Sequence, residues 1–273
     1  MGKIPGQGRV IDGHVHICDG PVDQGCLLER MGAAGVDGAV LISYAPAAFG
    51  WEARMAAERL DNLLAWVDGC DVLYPVFWID PLEPDALDQV ALANRVGVRG
   101  FKVICTHFYP GDPRALDVFR AIAESGKPIM FHSGILWDGH DSSRYNRPVE
   151  FESLLAVPGL RFSLAHVSWP WCDECIAVFG KLRLSDLAGK MYIDLTPGTP
   201  PIYRQEVLTR LFTVGYDVED NVFFGTDGIA GDYNVENTRR WLQRDNAVYD
   251  TLGLSADQRA GIYAHNVRRF LGL

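Results

Sequence analysis

The sequence predicts a parallel (β/α)8 barrel of the TIM type, regular or distorted. Three observations predict it. Short apolar runs with strand character recur along the 273 residues and alternate with longer amphipathic segments. Eight such runs are present, the number and spacing of a closed eightfold unit of roughly 250 residues. The runs are apolar at nearly every position, as strands buried on both faces require. No glycine-rich dinucleotide fingerprint follows any run, and no G-x-x-x-x-G-K-[ST] occurs, which argues against an open nucleotide-binding sheet.

In chain order the strand-like runs are 9–17, 37–43, 72–79, 98–104, 127–134, 160–167, 191–196 and 222–227. Helices are expected at 27–36, 51–69, 85–97, 113–126, 149–159, 172–184 and 200–215, and two more at 234–253 and 255–273 close the chain. The segment 51–69 is the clearest amphipath, with Met55, Leu60, Leu63, Leu64 and Val67 mostly at helical spacing and Gly69 at its C-terminal end. Pro113 near the start and Gly126 after the end bracket another helix. Between 135 and 148 lies a long polar and aromatic loop. No Pro-, Gly- or Ser-rich linker interrupts the pattern, so one domain over 1–273 is expected.

Composition excludes several classes. The net charge of −10 argues against a nucleic-acid surface. No run of 18 apolar residues suggests a membrane span, the first nine residues lack the apolar middle of a signal peptide, and Gly6 stands where a myristoylation signal wants Ser or Thr. Cys18, Cys26, Cys70, Cys105, Cys172 and Cys175 are scattered, as expected of reduced thiols in the cytoplasm. The single C-x-x-C of Cys172 and Cys175 has no second pair and reads as ordinary residues in the first turns of a helix.

Function in such a barrel sits at the C-terminal strand ends. Four of the seven histidines fall there: His14 and His16 on the first run, His132 on the fifth and His166 on the sixth. Lys102 on the fourth run and Asp227 on the eighth join them. Asp12, His14 and His16 alternate along a strand and share a face, and paired imidazoles can chelate a divalent cation. Taken singly, each has a plainer reading: a satisfied histidine, a capping aspartate, a snorkelling lysine. Convergence of several strand ends on one point gives the pattern its weight.

"DGHVH", "FHSG", "AHVSWP" and "FGTD", with "GFKVI" and "HNVRRFLGL", resemble the amidohydrolase superfamily, specifically its amidohydrolase-2 branch of hydrolases and aminocarboxymuconate-semialdehyde decarboxylase-like enzymes. The resemblance runs from Ile11 to Leu273. It implies one divalent metal ion, zinc by preference with manganese or another first-row metal as options, held by His14, His16, His132 and Asp227. It further implies that His166 is a catalytic group beside the metal, that Asp227 both ligates and transfers a proton, that Lys102 faces the substrate as an uncarboxylated cation, and that the chain forms a homodimer.

The expected reaction is hydrolysis of a small carboxylate-bearing or cyclic substrate, a lactone, ester or amide, by activated water. Non-oxidative decarboxylation of an aromatic or unsaturated acid is the runner-up, and an inactive metal-binding barrel is the alternative outside catalysis. Tyr44, Trp137 and Trp169 are expected to wall the pocket. Arg144 or Arg147 either binds a substrate carboxylate or pairs with Asp138, Asp141 or Glu150 on the surface. Thiol catalysis by Cys105 with His107 is a weaker rival, since no third group orients the histidine.

Overall fold

The computed structural model describes residues 8–49, 54–183 and 190–273. Among them, nine parallel strands form one curled sheet. The strands are β1 Ile11–His16, β2 Gly38–Ile42, β3 Leu73–Trp78, β4 Gly100–Val103, β5 Ile129–Phe131, β6 Arg161–Leu164, β7 Lys190–Asp194, β8 Val222–Phe223 and β9 Gly228–Ile229. Each of β1 to β8 pairs with its neighbour in sequence, so the crossover helices lie outside.

The eighth expected strand is split. β8 pairs with β7, and β9 pairs with β1. Between them the Gly13 N–H donates to the Phe224 carbonyl at 2.9 Å. One short segment thus bridges the last and first strands and closes the barrel. The split follows from local backbone: Asp227 sits in the left-handed region at φ 57°, which no strand residue adopts. The sixth run is shortened for the same reason, because His166 and Val167 are left-handed at φ 64° and 47°.

The helices are α1 Gln24–Ala34, α2 Ala56–Val67, α3 Ala86–Arg95, α4 Pro113–Glu124, α5 Cys172–Arg183, α6 Arg204–Thr213, α7 Val235–Leu252, α8 Ala256–Ala260 and α9 Asn266–Leu271. Residues 51–53 and 184, expected to be helical, lie outside the described residues. The expected helix at 149–159 is a 3-10 segment, Pro148–Ala156, ending where Val157 turns extended ahead of Pro158. The last expected helix is interrupted by a π turn, Gly261–His265, between α8 and α9. No described helix is long and apolar enough to cross a membrane.

Strand alternation divides the apolar residues into two sets. Val10, Ala39, Leu41, Phe77, Phe101, Val103 and Phe131 point outward to the helices. Ile11, Val40, Ile42, Tyr74, Val76 and Met130 point inward, where Val267, Phe270 and Leu271 of α9 pack against them. The C-terminal helix therefore fills the barrel interior from one end. Lys102, between outward-facing Phe101 and Val103, is thereby aimed inside, toward the other end.

Candidate metal centre

At that other end β1 presents His14 and His16. The register between β1 and β2 shifts between Asp12 and Val15, a bulge at the base of the histidine pair. His14 Nε2 and His16 Nε2 lie 3.1 Å apart. Asp227 Oδ1 lies 3.6 Å from the first and 3.4 Å from the second. Ligands about 2.0–2.2 Å from a tetrahedral cation stand roughly 3.3–3.6 Å from each other, so the triangle is close to the size a zinc-like ion needs. These three residues form the described cluster of metal-capable side chains.

Neighbouring residues hold the triangle in place. His14 Nδ1 donates to Asp194 Oδ2 on β7 at 2.5 Å, which fixes the proton on Nδ1 and leaves the Nε2 lone pair facing the site. Asp194 accepts in turn from the Thr196 N–H at 2.9 Å and the Thr196 hydroxyl at 2.7 Å. Asp12, fully buried, ties β1 to the Asp227 turn. It accepts from the Thr226 N–H at 2.9 Å, the Thr226 hydroxyl at 2.5 Å and the Tyr233 hydroxyl at 2.8 Å. Burial nevertheless raises the Asp12 carboxyl to about 6 against these hydrogen bonds.

The electrostatics suit cation binding. Burial, then the Lys102 charge, lowers His14, keeping the imidazole neutral and able to ligate. Burial alone would raise the Asp227 carboxyl, but the His16 hydrogen bond and the surrounding imidazoles carry it well below the usual carboxylate range. The Asp227 side chain is 39% exposed, open to the pocket. Lys102 is buried with Nζ 3.3 Å from His14 Nε2, and burial lowers it to about 8 despite Asp194 and Asp227.

His132 and His166 stand beside the triangle. Their ring centroids are 4.9 Å apart, and His166 is 5.9 Å from His14. His132 Nε2 is 3.3 Å from the Ile135 carbonyl, and the three-residue cluster does not include it. The four-ligand set implied by resemblance is thus brought together only as far as three. Burial lowers both imidazoles, His132 well below the ordinary histidine value.

A pocket of about 460 Å³ opens above the cluster, lined by His14, His16, Lys102, His132, His166 and Asp227 at its floor. Tyr44, Trp137 and Trp169 line it as expected. Trp137 is 87% exposed at the rim, and Trp169 stacks on Tyr203 at 5.0 Å. Arg144 and Arg147 do not line it. Of the two options open to them, they take the surface one: Arg144 pairs with Asp141 at 3.0 Å, and Arg147 pairs with Glu174 at 2.5 Å and lies over Trp171. Their loop carries them away from the mouth. Among the described residues, the guanidinium that lines the pocket is that of Arg54, which lies over the Tyr44 ring at 4.2 Å and pairs with Asp19 at 2.5 Å.

Sequence reasoning missed Arg54, Asp194 and the bracing role of Asp12. Asp194 had a signal, since it ends the seventh run as the other site residues end theirs. Arg54 was hidden inside an amphipathic stretch that reads as helix. The thiol rival is not assembled: Cys105 is buried with its thiol pushed well up, and His107 turns to Thr106 at 2.8 Å and Asp80 at 3.7 Å. Cys172 and Cys175 are free thiols at the start of α5, as the plain reading had it.

Known proteins agree with this architecture. A 2,6-dihydroxybenzoate decarboxylase in complex with 2,6-dihydroxybenzoate superposes with a TM-score of 0.67 at 14% identity, over 97% of this chain and 99% of that one. A zinc-bound amidohydrolase from Burkholderia multivorans gives 0.66 at 13% identity, over 97% and 100%. A protein assigned as a 2-pyrone-4,6-dicarboxylic acid hydrolase from Acinetobacter baumannii, with citric acid bound, gives 0.65 at 11%, over 97% and 100%. At these identities the likeness establishes the TIM-barrel fold. A search of curated proteins finds no match. The family model described as amidohydrolase, that of the amidohydrolase-2 branch, matches residues 11–273, and the chain belongs to that family.

Proposed function

We propose that the protein is a metal-dependent hydrolase of small, carboxylate-bearing or cyclic substrates. The His14–His16–Asp227 triangle at the floor of a largely apolar pocket carries this reading. These three residues would hold one divalent cation, zinc by preference, with His132 next to them. When bound, the cation acidifies water and polarises the carbonyl of a lactone, ester or amide.

The protein's own groups supply the rest. Asp227, ionised and open to the pocket, takes the proton of the attacking water and can return it to the leaving group. His166 is neutral at pH 7 because burial lowers it, so its ring offers one acceptor and one donor. It orients the water or hydrogen-bonds the oxyanion of the tetrahedral intermediate. Lys102 brings positive charge into a buried place, where a carboxylate or developing oxyanion is stabilised most. Trp78, Phe49, Ile135 and Leu136 exclude water and flank a planar ring. Arg54 supports a carboxylate on the substrate, as the guanidinium that lines the pocket.

Turnover of a panel of lactones, amides and aromatic acids in ¹⁸O-water tests the proposal. Hydrolysis puts one labelled oxygen into the product. Release of carbon dioxide with no labelled oxygen in the organic product would assign non-oxidative decarboxylation, the reading that the aromatic pocket wall also accommodates. Cation binding with no turnover of any class would leave a binding protein.

A further inference from the structure

We propose that Gly198, in the loop after β7, is a positioning residue that sets where the His166 imidazole stands. Its functional consequence rests on the proton-handling role given to His166 above. The geometry itself does not depend on that role.

Two imidazoles of the site are fixed in different ways. His14 is oriented by its hydrogen bond to Asp194. His166 Nδ1 is buried and has no hydrogen-bond partner. Packing must therefore do for His166 what the carboxylate does for His14. The backbone supplies part of this, because His166, Val167 and Ser168 are all left-handed, at φ 64°, 47° and 57°. Three such residues in succession swing the side chain off the line of β6 and into the barrel mouth.

Gly198 supplies the remainder. A Cβ at this position would stand 2.5 Å from His166 Cβ, 2.7 Å from Cγ and 3.1 Å from Nδ1. The first two are closer than packed atoms come, and the third is tight enough that the ring would have to give. Gly198 is not among the left-handed glycines, so its backbone conformation does not call for glycine. The space taken by the imidazole does. Any side chain at 198 must shift the ring, which already has the His132 ring at a centroid distance of 4.9 Å, or lift the loop. The end of β7, where no site residue was expected, thus places two imidazoles: Asp194 by hydrogen bonding and Gly198 by making room.

A double-mutant cycle tests this. Glycine suits the left-handed backbone at 166 and removes the Cβ that position 198 would strike. Thermal unfolding of the metal-free protein should show a clear loss for Gly198→Ala in the wild-type background and almost none in the His166→Gly background. Equal losses in both backgrounds would overturn the proposal. In the first background kcat should fall on the order of a hundredfold, with KM and the zinc dissociation constant nearly unchanged. An imidazole left in its wild-type position in the structure of Gly198→Ala would also overturn it. If His166→Gly itself keeps full turnover, His166 loses its chemical role, and the unfolding cycle still decides whether Gly198 positions it.

Discussion

At the scale of single residues, the site is a problem of holding polar groups where water is scarce. His14 ligates only if its proton stays on Nδ1, and Asp194 keeps it there. Asp194→Asn weakens that constraint, so zinc affinity measured by chelator competition should fall about 10- to 100-fold. Thiol reactivity gives a second test. Burial pushes the Cys172 and Cys175 thiols up to about 12, and Cys105 is raised well above the ordinary value. Because the thiolate is the nucleophile, a raised pKa means slow alkylation; at pH 8 a thiol at about 12 is ionised only about once in 10,000 molecules. Native protein treated with iodoacetamide at pH 8 should be modified at Cys26 and Cys70, and more slowly at Cys18, whose thiol burial and then Asp19 also raise, and peptide mapping should find Cys105, Cys172 and Cys175 intact. Rapid modification of the C-x-x-C pair would contradict the packing of α5. His14, His16, His166 and Asp227 were legible together, because such groups recurring at several strand ends of one barrel converge on one point. Arg144 and Arg147 show the limit: sequence names a guanidinium but not the loop path that carries it to Glu174 rather than to the pocket.

At the scale of elements, periodicity told strands from helices well, because each strand is apolar on both faces and each helix on one. It could not foresee where a strand stops. The sixth and eighth runs read as continuous, yet β6 stops at Leu164 and β8 at Phe223, and the left-handed residues that follow, His166 and Asp227, are the turns that bring the two side chains into the mouth. A buried pair joins α6 to α7: Arg204 donates to both Asp245 oxygens, at 2.8 and 2.7 Å, with neither residue exposed. Asp245→Asn leaves that guanidinium without its counter-ion in a dry place. Chemical denaturation should show a loss of about 3–5 kcal/mol. A change under about 1 kcal/mol would mean that water reaches the pair.

At the scale of the whole molecule, α9 fills one end of the barrel and leaves the other as a pocket of about 460 Å³. Strand order, and strand number up to the split eighth run, were legible because eight alternations in this length have one compact closure. Pocket shape was not, since it depends on loops whose paths no periodicity records. Substrate charge then separates the arginines. On an acidic substrate, Arg54→Gln should raise KM about tenfold or more with little change in kcat, and Arg144→Met should change neither. The reverse order would return substrate binding to the surface loop. The most direct test is cation stoichiometry measured together with turnover on the same samples. Wild-type protein should hold one divalent ion per chain, lose turnover on chelation and regain it with zinc or manganese, and His16→Ala and Asp227→Ala should fail to retain the ion. Full turnover after complete chelation, or an undiminished ion content in both variants, would contradict a metal centre built on His14, His16 and Asp227.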